Sequence, residues 1–244
     1  MHRFYCVNAD FTGKQFTLTD RDELHHLRNV LRLKKNDLLM IFDGKGAEAQ
    51  GMIVSVTKQQ AVIQIQSIHQ HKLREPKIIL ACALPKKSKF ELIIEKATEL
   101  GADEIIPLIT HRTEIKLTGE RLNKKQLRFQ TIAANAAKQC QRATVSLIHP
   151  ATEFSEAIHQ LTETTTAIIP SLTKNTKNLF DVFQKLKTPH AISFLIGPEG
   201  DFTPEEYQLA HKAGCIPVSL GETVLRVETA AICSLSCANA FFRT

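Results

Sequence analysis

The pattern of apolar and polar positions changes character near residue 70. Before that point the apolar stretches are short and read as strands, at residues 3–7, 15–18, 38–42, 47–56 and 61–66. The last of these, Ala61-Val62-Ile63-Gln64-Ile65-Gln66, alternates as a half-buried strand should. One helix interrupts them. Leu24, Leu27 and Leu31 form its apolar stripe, and Asp20 and Glu23 have the spacing of a capping box, able to satisfy the first free N–H groups. Asp43-Gly44-Lys45-Gly46 lies between two strand runs and predicts a hairpin, because glycine accepts φ > 0 without a steric cost. A small barrel-like domain is the simplest arrangement of these pieces.

His69 to Pro76 is polar and ends in proline, which reads as a linker. Beyond it, continuous apolar runs at 78–84, 105–109, 167–170, 192–197 and 216–220 alternate with helical patterns at 90–100 and 123–142. Phe90, Ile93, Ile94, Ala97 and Leu100 share one face of the first of these helices. Strands alternating with helices imply a mostly parallel sheet covered on both sides. The expected division is therefore residues 1–71, a linker at 72–76, and a larger α/β domain at 77–244.

Two glycine turns stand out in the larger domain. Leu195-Ile196-Gly197-Pro198-Glu199-Gly200 and Leu220-Gly221-Glu222-Thr223-Val224-Leu225-Arg226-Val227-Glu228 each leave a strand-like run and enter a helical pattern. Placed at the carboxyl ends of neighbouring strands, two such turns form the crevice where open α/β sheets bind ligands. The first is followed by a complete helix start: Thr203 as N-cap, Pro204 at N1, Glu206 at N3 and a Phe202–Tyr207 staple. On its own this turn is equally well read as a chain reversal into that helix. In the second, Val224 and Leu225 are apolar residues in a loop, which suits a pocket for a flat heteroaromatic ring. Arg226 and Glu228 bracket the start of the last helix, either as reactive groups or as a pair that caps it. The face Val227, Ala231, Ser234, Leu235, Ala238 of that helix is rich in small residues, permitting close helix approach and a subunit contact.

Composition narrows the choices. The net charge is +6 and the sequence pI about 9.0, which suits a polyanionic partner. Trp is absent and Tyr occurs twice, against an aromatic stacking platform for single-stranded RNA. Six dispersed cysteines form no C-x-x-C pair, so buried reduced thiols are favoured over a zinc site and no metal is expected. No signal-peptide pattern or membrane-length apolar run occurs, and the expected location is the cytosol. The chain also lacks G-x-x-x-x-G-K-[ST], G-x-G-x-x-G and G-x-S-x-G, which argues against P-loop, dinucleotide-binding and α/β-hydrolase chemistry.

Taken together, Ile196–Gly200 and Leu220–Ala230 resemble motifs of the RsmE family, the 16S ribosomal RNA uridine N3-methyltransferases of the SPOUT class. Further matches are Met1-His2-Arg3-Phe4-Tyr5, His26 to Arg32, Glu95 to Gly101, and Gln139 to Arg142, so the resemblance covers nearly the whole chain. It implies a C-terminal trefoil-knotted α/β domain that binds S-adenosylmethionine (SAM) in a bent shape. It also implies a PUA-like N-terminal barrel and a homodimer with the cofactor near the subunit interface. Sequence rules alone argue against a knot, since threaded chains are rare. The cofactor contacts implied are Leu172, Ile196, Gly197, Glu199, Gly200, Leu220, Gly221, Val224 and Leu225.

Arg226 is then expected to stabilise negative charge on the base or to hold the base, and Glu228 to accept its proton directly or through water. RNA contacts are expected from Arg3, Arg28, Arg32, Arg112, Gln139 and Arg142. Arg28 and Arg32, one helical turn apart, should project together. Lys34 and Lys35 fit either RNA contact or a solvated basic face, and Lys138 is a weaker candidate. Three positions depart from the family pattern: Asp201 and Gln141 stand where glycine is usual, and Lys138 where an acidic residue is common. Asp tolerates the left-handed backbone region better than most residues, which preserves the first turn. Two other readings are a SPOUT enzyme with a tRNA or ribose 2′-O acceptor, and a non-catalytic RNA-binding ribosome assembly factor.

Overall fold

The computed structural model describes residues 1–85, 89–113, 120–173 and 175–243, with the backbone alone for 120–123. The chain divides into two compact units. The first comprises Met1–Leu73 with Ala137–Val145, and the second Arg74–Ala136 with Ser146–Thr244.

The first unit contains β1 (His2–Tyr5), β2 (Gln15–Leu18), α1 (Arg21–His25), β3 (Leu38–Phe42), β4 (Ala47–Val56) and β5 (Ala61–Gln70). The strands pair in the order β1-β3-β4-β5-β2, with β1 parallel to β3 and the other pairs antiparallel. Phe4, Leu18, Leu39, Ile41, Ile53 and Ile63 come from all five strands and meet in one core with Leu24 and Leu27. Gly44 and Gly46 both have positive φ, as the hairpin requires.

Three expectations for this unit need correction. Asp20 does cap α1, accepting from the N–H groups of Asp22 and Glu23 at 3.0 and 2.9 Å. The Glu23 carboxylate does not close the box; it pairs with Lys138 at 2.6 Å, so the residue that departs from the family pattern has a specific partner. Next, α1 passes into a π-helical turn, His26–Val30, and Arg32 lies beyond it with φ of 55°. Arg28 and Arg32 are therefore not one α-helical turn apart. Finally, part of the second half of the sequence folds with this unit. Val145 N–H donates to Gly44 at 2.9 Å and Gly46 N–H to Ala143 at 3.2 Å, and Gln141 takes a φ of 62° in the connecting turn.

The second unit contains β6 (Lys77–Ala83), α2 (Lys89–Glu99), β7 (Glu104–Ile109), α3 (Glu120–Gln139), β8 (Leu147–Ile148), β9 (Thr152–Glu153), α4 (Phe154–Thr164), β10 (Thr166–Pro170), β11 (Lys177–Asn178), α5 (Leu179–Leu186), β12 (Ala191–Ile196), α6 (Pro204–Lys212), β13 (Ile216–Ser219) and α7 (Val227–Phe242). Its sheet runs β11-β13-β10-β12-β6-β7-β8, and β9 adds to β7. Every recorded pair is parallel. The central strand β12 is buried throughout, which explains why it reads as an unbroken apolar run.

Alternate residues serve opposite faces of this sheet. Ile79, Ala81 and Leu195 pack with Phe154, Ile158 and Leu161 of α4 and Ala210 of α6. On strand β12 the next residue, Phe194, meets Phe183 of α5. Helix α7 packs on α2, β6 and β12. Its small-residue face, Val227, Ala231, Ser234, Leu235 and Ala238, is buried within the chain itself, so that face is spent inside the protomer and is not free for a subunit contact. Cys6, Cys82 and Cys215 are buried, whereas Cys140, Cys233 and Cys237 are only partly covered. Among the described residues no helix is long and apolar enough to cross a membrane.

Candidate active site

The parallel sheet sends the ends of β10, β12 and β13 in one direction, and the loops that follow them line a cavity of about 320 Å³. Contrary to the expectation, the two glycine turns do not follow neighbouring strands: β10 lies between β12 and β13. Its own loop, Ser171-Leu172, therefore fills the middle of the site.

The β12 loop is held open by side-chain bonds to its own backbone. Asp201 has φ of 63°, and its Oδ1 accepts from the Phe202 N–H and the Tyr207 hydroxyl, both at 2.8 Å. A short polar side chain thus stabilises a backbone conformation that otherwise favours glycine. Burial, chiefly, raises the Tyr207 phenol above its ordinary value, so its O–H stays available to donate to Asp201. Helix α6 then starts as its sequence predicts. Thr203 accepts from Glu206 N–H at 3.2 Å, the Glu206 carboxylate accepts from Thr203 N–H at 2.8 Å, and the Phe202 and Tyr207 rings lie 5.6 Å apart.

In the β13 loop, Ser219 Oγ accepts from Gly221 N–H at 3.2 Å and donates to its carbonyl at 3.0 Å. Gly221 has φ of 130°, and a Cβ there would meet nothing within 4 Å. Val224 and Leu172 line the cavity and are 76% and 61% exposed, large apolar side chains that folding leaves uncovered. Ile196, Gly197, Glu199, Leu220, Gly221 and Leu225 line it as well. Gly200 is not in the wall. Its carbonyl accepts from Arg112, and a Cβ at Gly200 would press on the Arg112 chain at 3.3 Å. Gly200 thus shapes the loop from behind.

Arg226, the N-cap residue of α7, also lines the cavity, is exposed and makes no side-chain cap bond. Glu228 is set back: it is not part of the wall, and its side chain is only 16% exposed. Its direct ion-pair partner is Lys89, with Nζ 3.4 Å from Oε1, and its Oε2 is buried without a hydrogen bond among the described residues. Its own backbone N–H at the start of α7, then Lys89 and Arg226, hold this carboxylate below the ordinary range despite burial. Lys89, Tyr207, Asp201, Ser171 and Thr223 are among the wall residues that sequence spacing did not single out.

The expected RNA residues divide. Arg3 is not available. Its side chain is 11% exposed, donates to Glu48 at 2.8 Å and to the Arg142 carbonyl at 3.3 Å, and lies over the Phe42 ring. Arg142 turns partly inward and donates to Thr144 at 3.0 Å. Arg112 is exposed but committed to Gly200. Arg32, Lys34, Lys35 and Gln139 are exposed and Arg28 is half-buried, all in the first unit.

Comparison with known proteins fixes the family. A family model described as an RNA methyltransferase domain matches residues 73–239, and one described as an RNA methyltransferase PUA domain matches 18–66. A Synechocystis protein named ribosomal RNA small subunit methyltransferase E is 34% identical over 91% of this chain and 72% of its own length. The chain belongs to the RsmE family. A Bacillus subtilis protein of the same name is 30% identical over 91% of this chain and 88% of its own. Among solved RsmE proteins, one from Neisseria gonorrhoeae bound to SAM superposes with a TM-score of 0.89 at 29% identity, covering 99% of this chain and 98% of that one. A Legionella pneumophila structure with the cofactor SAM bound gives 0.88 at 31% identity, covering 98% and 96%.

Proposed function

We propose that this RsmE-family protein uses SAM to methylate N3 of a uridine in the 16S ribosomal RNA of the small subunit. The observation that carries the proposal is the cavity at the ends of β13, β10 and β12, with exposed apolar walls and cations beside it. Its residues fit the cofactor. Leu172 and Val224 offer apolar faces for an adenine ring, and the space beside Gly221 lets a ligand approach backbone N–H and C=O groups. Ile196, Gly197, Glu199, Leu220 and Leu225 complete the cofactor contacts, and Gly200 supports them through its loop.

When bound, SAM supplies an electrophilic methyl group on a sulfonium. Uridine N3 carries a proton between two carbonyls, so charge released at N3 spreads onto their oxygens. The Arg226 guanidinium donates hydrogen bonds to that oxygen charge. Glu228 takes the N3 proton, directly or through water, as the N–C bond forms and the C–S bond breaks. A carboxylate held at low pKa is a weak base toward a neutral imide. It suffices here because bond formation at N3 makes that proton strongly acidic.

RNA affinity comes from the exposed Arg32, Lys34, Lys35 and Gln139 and the half-buried Arg28 of the first unit. The second unit carries the trefoil knot, the protein acts as a homodimer, and its ribosomal substrate places it in the cytoplasm. A test of the cofactor site is Gly221→Val. Strain of about 1–3 kcal/mol and a side chain placed in the ligand's space are expected to weaken SAM binding about 10-fold or more. Calorimetric affinity equal to wild type rejects this site. Label from methyl-labelled SAM is expected in small-subunit RNA; bound cofactor without transfer to that RNA rejects the acceptor.

A further inference from the structure

Lys89 is the cation at the cavity wall that family motifs around the two glycine turns leave unassigned. It is the first residue of α2, and it meets Glu228 in the first turn of α7, a helix that packs against α2. Its ammonium lies 3.4 Å from Oε1 of Glu228 and its side chain is 36% exposed, so it touches both the cavity and the carboxylate behind it. The other oxygen of Glu228, Oε2, is buried and makes no hydrogen bond among the described residues. A buried carboxylate oxygen without a donor is costly, and such atoms in native proteins mark a functional group or an absent partner.

We infer that Lys89 is a positioning residue for the methyl transfer: by pairing with Oε1 of Glu228 at 3.4 Å it fixes the carboxylate that takes the imide proton. The inference rests on the proposed N3-methylation. It assigns Lys89 no contact with the transferred methyl group. Two groups besides Lys89 favour the charged form of Glu228: its own backbone N–H at the start of α7 and Arg226. Glu199 of the β12 loop and Glu228 both raise the buried Cys82 thiol at the end of β6. The helix start and Lys89 oppose the burial that pushes the Glu228 carboxyl upward.

The sign of the pH effect follows. Glu228 must be ionised to accept a proton, so the acid limb of the kcat profile reports its protonation in the complex. Loss of the Lys89 charge removes one of the groups that depress the Glu228 pKa, and the acid limb moves to higher pH.

The test compares wild type, Lys89→Met, Lys89→Arg and Glu228→Gln, with SAM and small-subunit RNA as substrates. Lys89→Met is expected to lower kcat about 10-fold, part of the range a positioned acid or base supplies. It should shift the acid limb upward and leave the calorimetric Kd for SAM within about 2-fold, which also reports an intact fold. Lys89→Arg should restore the position of the limb. In the Glu228→Gln background, Lys89→Met should add less than a 2-fold loss, because the two residues act as one unit. An unmoved acid limb, a loss confined to SAM affinity, or an equal loss in the Glu228→Gln background overturns the inference while leaving the methyltransferase reading intact. A wild-type protein that transfers no methyl group overturns both.

Discussion

Arg226→Ala is expected to lower kcat for RNA methylation by about 10²–10³-fold, the cost of removing one donor to developing oxyanion charge. SAM affinity should change little, because the apolar walls and backbone of the β12 and β13 loops supply the cofactor contacts. Glu228→Gln keeps the size and a hydrogen-bonding side chain but cannot take a proton. Its expected loss is about 10²–10⁴-fold in kcat. The geometry gives the two residues different tasks: Arg226 is exposed at the wall, and Glu228 sits behind it against Lys89. Turnover unaltered in both variants, with cofactor affinity also unaltered, removes them from the chemistry and leaves them as the start of a helix.

The largest effect on stability is expected far from the cavity, at Arg243. Its side chain is only 2% exposed. Nε donates to the Pro76 carbonyl at 3.1 Å and Nη1 to the Gly101 carbonyl at 2.6 Å, while Nη2 pairs with Asp103. Asp103 also accepts from Ile78 N–H at 2.9 Å, at the start of β6. The guanidinium thus ties the end of α7 to the first residues of the central sheet. Arg243→Ala leaves the carboxylate and two carbonyls without these donors. Asp103 is 26% exposed and stays partly solvated, so the loss is that of leaving buried acceptors without donors, about 1–3 kcal/mol. Arg243→Lys should recover only part, since an ammonium lacks the planar fork that spans three acceptors. Chemical denaturation followed by far-UV circular dichroism measures this; a change within about 0.5 kcal/mol for Arg243→Ala contradicts the role.

Where sequence spacing and local structure share one cause, the fold was readable in advance. The hairpin strands Leu38–Phe42 and Ala47–Val56 begin and end where alternation meets the glycine turn. The complete cap of α6 follows directly from Thr203, Pro204 and Glu206. The apolar loop residues Val224 and Leu225, with Leu172, do reach the cavity.

What escaped the sequence depends on contacts between distant positions. Helices α4 and α5 are not among the expected elements, although Phe154, Ala157, Ile158 and Leu161 have helical spacing and form the buried stripe of α4; α5 is only eight residues long. Arg3 looks like a surface cation, but Glu48 and the carbonyl of Arg142 draw it inward. Glu23 has capping spacing, but Lys138 offers a charged partner, and the box stays half closed. Lys89 carries no local signature, because Glu228 lies at the start of the last helix. The departures from the family pattern proved readable in physical terms. Asp201 and Gln141 both occupy left-handed positions, where glycine is the usual solution, and Asp201 adds the bond from Tyr207.

The measurement that bears most directly on the proposed chemistry is the identity of the methylated nucleoside. Undermodified small ribosomal subunits are incubated with methyl-labelled SAM and this protein, and the RNA is digested and analysed by mass spectrometry. N3-methyluridine carrying the label is the expected product. A label on ribose 2′-oxygen or on another base contradicts the assigned acceptor atom, and no label together with no SAM binding contradicts the enzyme itself.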